Sequence, residues 1–402
     1  MRTILLAAAC WLLILYPDQA LADSPLNDIL IHNVTTIDGV AGRKSGQSVL
    51  VRDGQIHAVK NTEKDVEAAA VVIDGTGQYL IPGLWDMHVH IVYEPRLTDL
   101  MPELFLDYGV TSVRDTGALL HEIKPEISRW RSQGPLAPDI YFSGPLLDGR
   151  LVVYDGNGRT EIGTANASAS IAKDQINQLY EAGIDFIKIY ELVSPDVFNA
   201  MVATARQLDL PIAAHVPLSM KAGDAGPQVN SMEHLRNIEI ACADNADQLH
   251  LERTSVLTEP GNRSGYELRS HLHSTQRPIA LASAALESEQ CQQVIRSLQD
   301  TIQVPTLRLN TISRFPPDQR PDWTDKLKTL PDAVVAEWLE TARFFAARPS
   351  ELSNRMSDWS LALVKPCNRR TCLLAQEPIP LSVRQFPVTA CIPSWNDWLM
   401  PD

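Results

Sequence analysis

The stretch Leu80-Ile81-Pro82-Gly83-Leu84-Trp85-Asp86-Met87-His88-Val89-His90 decides the prediction of the fold. An apolar run breaks at a Pro-Gly turn, resumes, and ends in two histidines one residue apart. Residues i and i+2 of a strand point to the same face, so His88 and His90 can reach one metal ion from one strand end. Imidazole nitrogen is a common zinc ligand. The pattern therefore indicates a buried strand with a metal-binding end.

A second His-x-His, His271-Leu272-His273, shows that this spacing also arises by chance. It lies among Arg269, Ser270 and Ser274 in a polar segment, with no apolar strand before it. We therefore interpret this second pair as incidental to any metal site.

Upstream of the deciding stretch, residues 23–80 read as short strands. Val49–Arg52 and Gln55–Val59 flank Asp53-Gly54, a dipeptide that strongly favours a two-residue hairpin turn. No helical periodicity occurs before about residue 98. The segment 23–80 is therefore predicted to form a small β-sandwich domain.

Downstream, strand and helix patterns alternate over residues 81–364. Ile171–Ala182 has apolar residues at helical spacing and is followed by Gly183, a typical helix stop, whereas Ser194-Pro195 is typical of a helix start. Such alternation implies a parallel sheet. At this length we predict an α/β fold, a (β/α)8 TIM-type barrel incomplete at its last strand. Residues 243–300 are predicted to be a polar helical insert, and 332–347 a helix.

Lys188 lies inside the apolar segment Asp185-Phe186-Ile187-Lys188-Ile189-Tyr190, which reads as a buried strand. A lysine there is costly unless it is paired or uncharged. One interpretation pairs Lys188 with Asp185 or Glu191. The other is an uncharged amine that reacts with CO₂ to give a carbamate, whose two oxygens can bridge two cations.

His215 and His234 each end a short strand-like run, Ile212-Ala213-Ala214-His215 and Ser231-Met232-Glu233-His234. Either one alone is typical of a structural histidine. The order His-x-His, strand lysine, strand histidine, strand histidine is much more specific, because successive barrel strands bring their carboxyl ends to one rim.

Taken together, these segments resemble the amidohydrolase superfamily, in particular its branch of imidazolonepropionase-like enzymes and metal-dependent Xaa-Pro dipeptidases. The deciding stretch resembles the first barrel strand of that branch, and Gly109–Asp115 resembles the second. The segments of Lys188, His215 and His234 resemble strands four, five and six. The resemblance runs from about residue 27 to about residue 364.

This resemblance implies a centre of two divalent metal ions, with zinc best suited to the ligands. His88 and His90 would hold the first ion, His215 and His234 the second, and carboxylated Lys188 would bridge both. The ions would supply hydroxide near neutral pH and polarise a substrate carbonyl, which implies hydrolysis of amide, cyclic amide or dipeptide C–N bonds. Tyr190 lies two residues after Lys188 and is a candidate for substrate contact.

The resemblance also implies an Asp at the end of the eighth strand, usually within Gly-Thr-Asp-Thr, and the sequence has no such motif. Glu377 lies near the expected place without the family's local pattern. An Asp of this kind moves the proton to the leaving amine, a contribution worth about 10²–10⁴-fold. The catalytic acid–base group is therefore unknown, and we expect weak or absent activity. Residues 365–402 read as an atypical tail, as an out-of-frame or truncated end would produce.

Residues 1–22 read as a signal peptide. Arg2 precedes the apolar run Ile4–Tyr16, and Ala20-Leu21-Ala22 is a typical cleavage site. The mature protein is therefore expected to be periplasmic or secreted, without a stable membrane anchor. Export makes disulfides feasible. Five cysteines follow the signal, and Cys242 and Cys291 flank the polar insert that a disulfide between them would fasten.

The formal net charge of −14 argues against nucleic acid or an anionic membrane as the main partner. A small-molecule amide or dipeptide is the expected partner, and the oligomeric state is left open. A competing hypothesis is a catalytically inactive exported barrel that binds metal or a ligand. Metal analysis combined with an amidase and dipeptidase screen separates the two.

Overall fold

The computed structural model describes residues 28–39, 41–62, 69–312, 314–315, 327–346 and 350–366. The predicted signal peptide and Glu377 lie outside these residues, as do Cys367, Cys372, Cys391 and the rest of the tail from 367 onwards. The chain divides into two units by its internal contacts, Met1–Pro82 and Gly83–Asp402.

The first unit is built on a five-stranded sheet. Its strands are β1 (Ile29–Asp38), β2 (Gly42–Arg52), β3 (Gln55–Asn61), β4 (Val71–Asp74) and β5 (Tyr79–Leu80). The strand order is β3-β2-β1-β4, and β5 pairs with β1. The sequence prediction of β structure before residue 80 is therefore confirmed, as a single sheet in the described residues.

The turn between β2 and β3 lies where the sequence places it. Arg52 pairs with Gln55 across an antiparallel ladder, and Asp53 and Gly54 both have positive φ values, 48° and 72°. Two consecutive left-handed residues make a type I′ turn, whose twist matches that of the flanking strands. Asp and Gly tolerate this conformation better than most residues, which explains the signal in the sequence.

The described residues of the second unit form two sheets in which all strand pairs are parallel. The first sheet has the order β6 (Leu84–Val89), β7 (Val110–Asp115), β8 (Asp139–Phe142). The second has the order β10-β9-β11-β12-β13-β14. Its strands are β9 (Leu146–Asp148), β10 (Gly163–Ala165), β11 (Ile187–Ile189), β12 (Ile212–Ala214), β13 (Ser231–Glu233) and β14 (Ile302–Val304). The predicted parallel α/β architecture is confirmed.

Helices connect most of these strands. They are α1 (Met101–Asp107), α2 (Leu120–Gln133), α3 (Ala169–Glu181), α4 (Pro195–Gln207), α5 (Ala222–Ala225), α6 (Ile238–Ala241), α7 (Ala246–Thr258), α8 (Gly265–Ser283), α9 (Glu289–Ser297), α10 (Leu307–Thr311), α11 (Asp332–Ala346) and α12 (Glu351–Pro366). Short 3₁₀ turns follow α2 and α5. Among the described residues, no helix is both long enough and apolar enough to cross a membrane.

Helix boundaries follow the local sequence signals. Gly183, just after α3, has a φ of 84°, which a glycine adopts at no steric cost. Ser194 precedes α4 in an extended conformation, and Pro195 is its first residue, where the missing N–H would have no helical partner anyway. The buried face of α4 includes Val197, Met201 and Ala205, which all belong to the main hydrophobic core of the second unit.

The polar segment 243–300, predicted from its sequence to be helical, forms α7, α8 and α9. A capping box starts α8, in which the side chains of Ser264 and Glu267 each accept a hydrogen bond from the backbone N–H of the other residue. Two N–H groups that have no acceptor within the helix are thereby satisfied. Cys242, at the end of α6, forms a disulfide with Cys291 in α9. The hypothesis that these two cysteines fasten the insert is confirmed.

Candidate metal centre

The five side chains that the sequence singles out all line one cavity in the second unit. His88, His90, Lys188, His215 and His234 are joined there by six further residues, namely Leu146, Tyr154, Tyr190, Arg236, Arg269 and Leu309. The structure therefore brings the predicted ligand residues together, and it also places the candidate contact residue Tyr190 in the same cavity.

Each of these five residues lies in a parallel strand or directly after one. His88 lies near the end of β6 and His90 directly after it, Lys188 lies in β11, and His215 and His234 directly follow β12 and β13. Parallel strands direct their carboxyl ends to the same edge. As a result, the ring centroid of His88 lies 5.3 Å from that of His90 and 4.4 Å from that of His234. The rings of His215 and His234 are 4.7 Å apart.

The rings of His88 and His90 are held through Nδ1. The Nδ1–H of His88 donates to the carboxylate of Glu233 at 2.8 Å, and the Nδ1–H of His90 donates to the carbonyl of Gly117 at 2.9 Å. Both partners are acceptors only, so they fix the tautomer that carries the proton on Nδ1. Metal-binding histidines commonly have this second contact, and it makes Nε2 the nitrogen with which each ring would bind an ion.

The other two rings are also held through Nδ1. The Nδ1–H of His215 donates to Glu191 at 2.8 Å, and Nδ1 of His234 pairs with the Thr306 hydroxyl at 2.5 Å. His234 also has a φ of 65° and Thr306 a φ of 37°. A left-handed conformation is unfavourable for such residues and tends to occur at functional sites. We infer that the surrounding structure forces His234 into its position.

Burial keeps the imidazoles uncharged at neutral pH. It lowers the pKa of His88 to about 4 and the pKa values of His90 and His215 to about 3. It also lowers the pKa of His234 well below its usual value. A metal ion binds the neutral ring, so all four rings are in the state that a ligand requires.

Lys188 is fully buried, and its Nζ has no hydrogen-bond partner among the described residues. The nearest carboxylate oxygen is Glu233 Oε1, at 3.8 Å. The pairing with Asp185 or Glu191 considered from the sequence is wrong, because Asp185 accepts a hydrogen bond from the backbone of Phe142 and Glu191 binds His215. Burial lowers the pKa of Lys188 to about 7, which makes the uncharged amine accessible near neutral pH.

Glu233 is a site residue that the sequence analysis missed. Besides His88, its carboxylate accepts a hydrogen bond of 2.7 Å from Nη2 of Arg114. Arg114 also donates to Ser231 Oγ and to the carbonyl of Met87, so it links β6, β7 and β13. The signal was present, because a buried carboxylate in an apolar strand demands a partner just as Lys188 does.

Glu191 is the second missed carboxylate. It accepts hydrogen bonds from His215 Nδ1 and, at 2.5 Å, from Nε2 of His273, and its Oε2 lies 3.3 Å from Nε of Arg269. That the second His-x-His pair is incidental to any metal site stays a prediction, but the structure connects its member His273 to the site. That residue is buried in α8 and reaches the site through Glu191, whereas His271 is only partly buried. No local sequence signal could show this contact, because it depends on how the insert folds back.

Asp115, at the end of β7, shapes the loop that carries the first two histidines. Its carboxylate accepts hydrogen bonds from the backbone N–H groups of Ile91 and Gly117. Gly117 in turn supplies the carbonyl that orients His90. Burial raises the pKa of Asp115 to about 7. The side chain thus fixes the backbone around His90 without lining the cavity.

The four histidines suit a pair of metal ions only when Lys188 is counted as a further ligand. Across the described residues, no three His, Cys, Asp or Glu side chains by themselves form a group that could hold a metal ion. Four neutral imidazoles and a buried, unbonded amine converge on one cavity. If Lys188 bears a carbamate, each ion gains an oxygen ligand beside two imidazoles, so the residues present suit a binuclear centre bridged by Lys188.

Several solved structures have a fold similar to that of this chain. The chain is similar to bottromycin amidohydrolase, with a TM-score of 0.58 and 19% identity over 86% of this chain and 67% of that chain. It is also similar to a Xaa-Pro dipeptidase solved with methionine in its active site, with a TM-score of 0.54 and 16% identity over 87% and 78% of the two chains. A candidate prolidase from Bifidobacterium longum gives a TM-score of 0.54 and 17% identity over 87% and 73%.

Sequence comparison finds shorter matches. A dihydroorotase of Pelotomaculum thermopropionicum is 41% identical over 66 residues, 16% of this chain and 14% of that protein. An adenine deaminase of Lactobacillus delbrueckii subsp. bulgaricus is 28% identical over 86 residues, 21% of this chain and 15% of that protein. No protein-family model matches the sequence. The predicted resemblance to the amidohydrolase superfamily is confirmed at the level of the fold, because the structural neighbours include an amidohydrolase and prolidase-like proteins.

Proposed function

We propose that this chain, whose fold is similar to that of amidohydrolases, is an exported, metal-dependent hydrolase of amide, cyclic amide or dipeptide C–N bonds. The observation that carries the proposal is the convergence of four neutral imidazoles and Lys188 on one cavity. Export is proposed from the apolar N-terminal segment alone. Zinc is the proposed metal, because imidazole nitrogen with a carbamate oxygen suits it.

We infer that the parallel strands of the second unit belong to one (β/α) barrel. Support comes from side chains that connect the two sheets. Arg114 of β7 and His88 of β6 both bind Glu233 of β13, and the backbone N–H of Asp185 donates to the carbonyl of Phe142 in β8. Contacts of this kind are expected when strands of both sheets face a common interior.

In the proposed centre, His88 and His90 would hold one ion and His215 and His234 the other, with Lys188 as a carbamate between them. When bound, two divalent ions supply hydroxide near neutral pH and polarise a substrate carbonyl. Glu233 and Glu191 accept hydrogen bonds from Nδ1–H of His88 and His215, which leaves Nε2 of those rings as the nitrogen that would bind an ion. The pKa of Lys188, lowered by burial to about 7, favours the neutral amine that CO₂ requires.

Tyr190 is the proposed substrate contact. Its ring lies 4.4 Å from that of His215 and 5.8 Å from that of Tyr154. Burial raises the pKa of Tyr190 well above its usual value, so its hydroxyl stays protonated and can donate a hydrogen bond to a substrate oxygen.

A second candidate function is a non-catalytic protein that binds metal or a ligand. The specific observation in its favour is the sequence itself, which contains no Gly-Thr-Asp motif to move the proton to the leaving amine. The proposed hydrolase would then work slowly, or not at all.

A metal analysis with a hydrolysis screen tests the proposal. The exported protein is loaded with zinc, its bound metal is measured, and N-acyl amino acids, Xaa-Pro dipeptides and cyclic imides are offered. Two ions and turnover above that of His234→Gln would support the hydrolase. Two ions without turnover would favour the non-catalytic candidate. Absence of bound metal would contradict the hydrolase and leave the second candidate only as a ligand-binding protein. His57→Gln, a change on the first unit's sheet, serves as the matched control.

A further inference from the structure

A buried arginine of the insert contacts the loop that follows one of the proposed ligands. Arg253, in α7, is among the largest fully buried side chains, with 1% of its surface exposed. Its Nη1 donates a hydrogen bond of 3.3 Å to Oδ1 of Asn237, three residues after His234. We propose that Arg253 is a positioning residue, which sets the places of the His215 and His234 rings through Asn237. This role rests on the proposed metal centre for its purpose, but the ring positions can be measured without metal.

Asn237 connects the two loops that carry these ligands. It lies directly before α6, at the end of the loop that begins at His234. Its Nδ2 donates at 3.4 Å to the carbonyl of Val216, the residue directly after His215. One side chain therefore contacts the insert through Oδ1 and the loop after β12 through Nδ2.

The backbone from His234 to Asn237 needs support of this kind. His234, Leu235 and Asn237 have positive φ values of 65°, 55° and 65°. Left-handed conformations are unfavourable for residues other than glycine, and they persist where the surrounding structure holds them. The N–H of His234 donates to a carbonyl of β14, and its own carbonyl accepts a hydrogen bond of 2.7 Å from Asn310. These contacts fix the first residue of the loop, and Arg253 supplies a contact that fixes the last.

The insert in turn fixes the orientation of Arg253. Its Nε donates to Oε1 of Gln276 in α8 at 2.7 Å, and Nε2 of Gln276 donates to the carbonyl of Leu249 in α7 at 2.8 Å. The rigid fork of a guanidinium lets Nε and Nη1 contact two acceptors in a single orientation. The packing of α7 against α8 therefore determines where the Asn237 side chain is held.

Packing alone gives no reason for a cation at this place. Both acceptors of Arg253 are neutral amide oxygens, and its Nη2 is a buried donor without a hydrogen-bond partner among the described residues. A buried donor without an acceptor lowers stability, and an apolar side chain of similar size is often the more stable choice. A positioning role accounts for an arginine there.

NMR spectra of the metal-free protein test the positioning. With ¹⁵N-labelled histidine, the ring signals of the four ligand histidines are assigned by substituting each in turn. We expect Arg253→Met to shift the ring signals of His215 and His234 more than those of the other two. Asn237→Gly removes the same link, and glycine adopts the left-handed conformation at no steric cost, so it should shift the same two rings.

Zinc affinity measures the consequence for the proposed centre. Groups that orient ligand histidines contribute about 10- to 100-fold to metal affinity, so Arg253→Met should bind zinc about 10-fold more weakly in competition with a chelator. Arg253→Lys keeps the charge but loses the fork, and it should recover part of that loss. A double variant of Arg253→Met with Asn237→Gly should lose no more than the weaker-binding single variant, because both changes break one link.

Gln290→Met is the matched control. Gln290, in α9, donates to the carbonyls of Ala241 and Ala243, so its loss also loosens the insert next to α6 without removing a contact of Asn237. It should leave the ring signals and the zinc affinity unchanged. Urea unfolding of each metal-free variant checks that it is folded, and if Arg253→Met does not fold, Asn237→Gly decides by the same criteria.

The outcomes separate this inference from the proposed centre. Ring signals of His215 and His234 that stay in place in both Arg253→Met and Asn237→Gly would overturn the positioning role, whether or not the protein binds zinc. Displaced rings with unchanged zinc affinity would overturn it as well, as would equal shifts in Gln290→Met. Shifts concentrated in His215 and His234 in a protein that binds no zinc would support the positioning and contradict the metal centre alone.

Discussion

The carboxylate of Glu233 accepts a 2.8 Å hydrogen bond from Nδ1 of His88, although the two residues are 145 positions apart in the chain. Glu233 also binds Arg114 and is the nearest carboxylate to Lys188. One buried carboxylate therefore orients a proposed ligand, neutralises an arginine and lies beside the proposed bridging lysine.

Glu233→Gln should weaken zinc binding by about 10- to 100-fold, the usual effect of losing the group that orients a ligand histidine. The amide keeps the volume but not the charge, so His88 loses an acceptor of full strength. Competition with a chelator of known affinity measures the change. Glu239→Gln is the control, because Glu239 is another buried glutamate that pairs with Arg277. Equal affinity in Glu233→Gln and the unmodified protein would show that Glu233 does not support the metal.

Lys188 should carry a carbamate when zinc and bicarbonate are present. Its pKa is lowered by burial to about 7, so a large part of the amine is uncharged at pH 8. We expect a carbamate carbon resonance after labelling with ¹³C-bicarbonate, and no such resonance in Lys188→Met. A spectrum of the unmodified protein without that resonance would rule out the bridge and leave Lys188 as a buried amine.

His273 should strengthen metal binding by His215 and His234 without contacting the metal itself. It donates to Glu191, which in turn holds His215, so His273→Gln should lower zinc affinity by about 10-fold. His271→Gln lies two residues away in the same helix and should leave the affinity unchanged. If both variants bind zinc as the unmodified protein does, the contact between His273 and Glu191 serves only to pack α8.

The metal-free protein should lose stability as the pH falls from about 6.5 to about 3. The pKa values of His88, His90 and His215 are depressed to about 4, 3 and 3, and that of His234 is also lowered. In this window the unfolded chain takes up protons that the folded rings do not, so the free energy of unfolding rises with pH.

Two carboxyl groups act in the opposite direction. Burial raises the pKa values of Asp115 and Asp148 to about 7, so their contribution to stability is present at low pH and lost as the pH rises through 7. Four rings outweigh two carboxyls, and each net proton is worth about 1.4 kcal/mol per pH unit. Urea unfolding in the presence of EDTA at pH 7, 6, 5 and 4 measures the trend. A stability that stays level or increases toward pH 4 would contradict the neutral, buried state of the rings.

Local patterns were enough to predict a large part of the fold. Asp53-Gly54 predicted the hairpin because the turn needs two left-handed residues, and the deciding stretch before His90 predicted β6 because burial requires an apolar run. The disulfide between Cys242 and Cys291 followed from their placement around the insert. Such features depend on residues that are close together in the chain or on the limits of a segment with distinct composition, so the sequence alone is enough to predict them.

The partners of the ligands could not be predicted in the same way. The partners of Glu191 and Glu233 were hidden because a single sequence does not show which buried charges meet, and the contact of His273 depends on the fold of the whole insert. Arg236 and Arg269 carry no motif, and only their convergence on one cavity distinguishes them from other arginines. Side chains that act through long-range packing need the structure.

The proposed metal centre places two ions in one cavity, between four histidines and Lys188. A crystal structure of the zinc-loaded protein, with anomalous diffraction collected on both sides of the zinc absorption edge, tests it directly. We predict two anomalous peaks within coordination distance of Nε2 of His88, His90, His215 and His234, with continuous density linking Lys188 Nζ to both. Zinc peaks only at other places on the chain would contradict the claim.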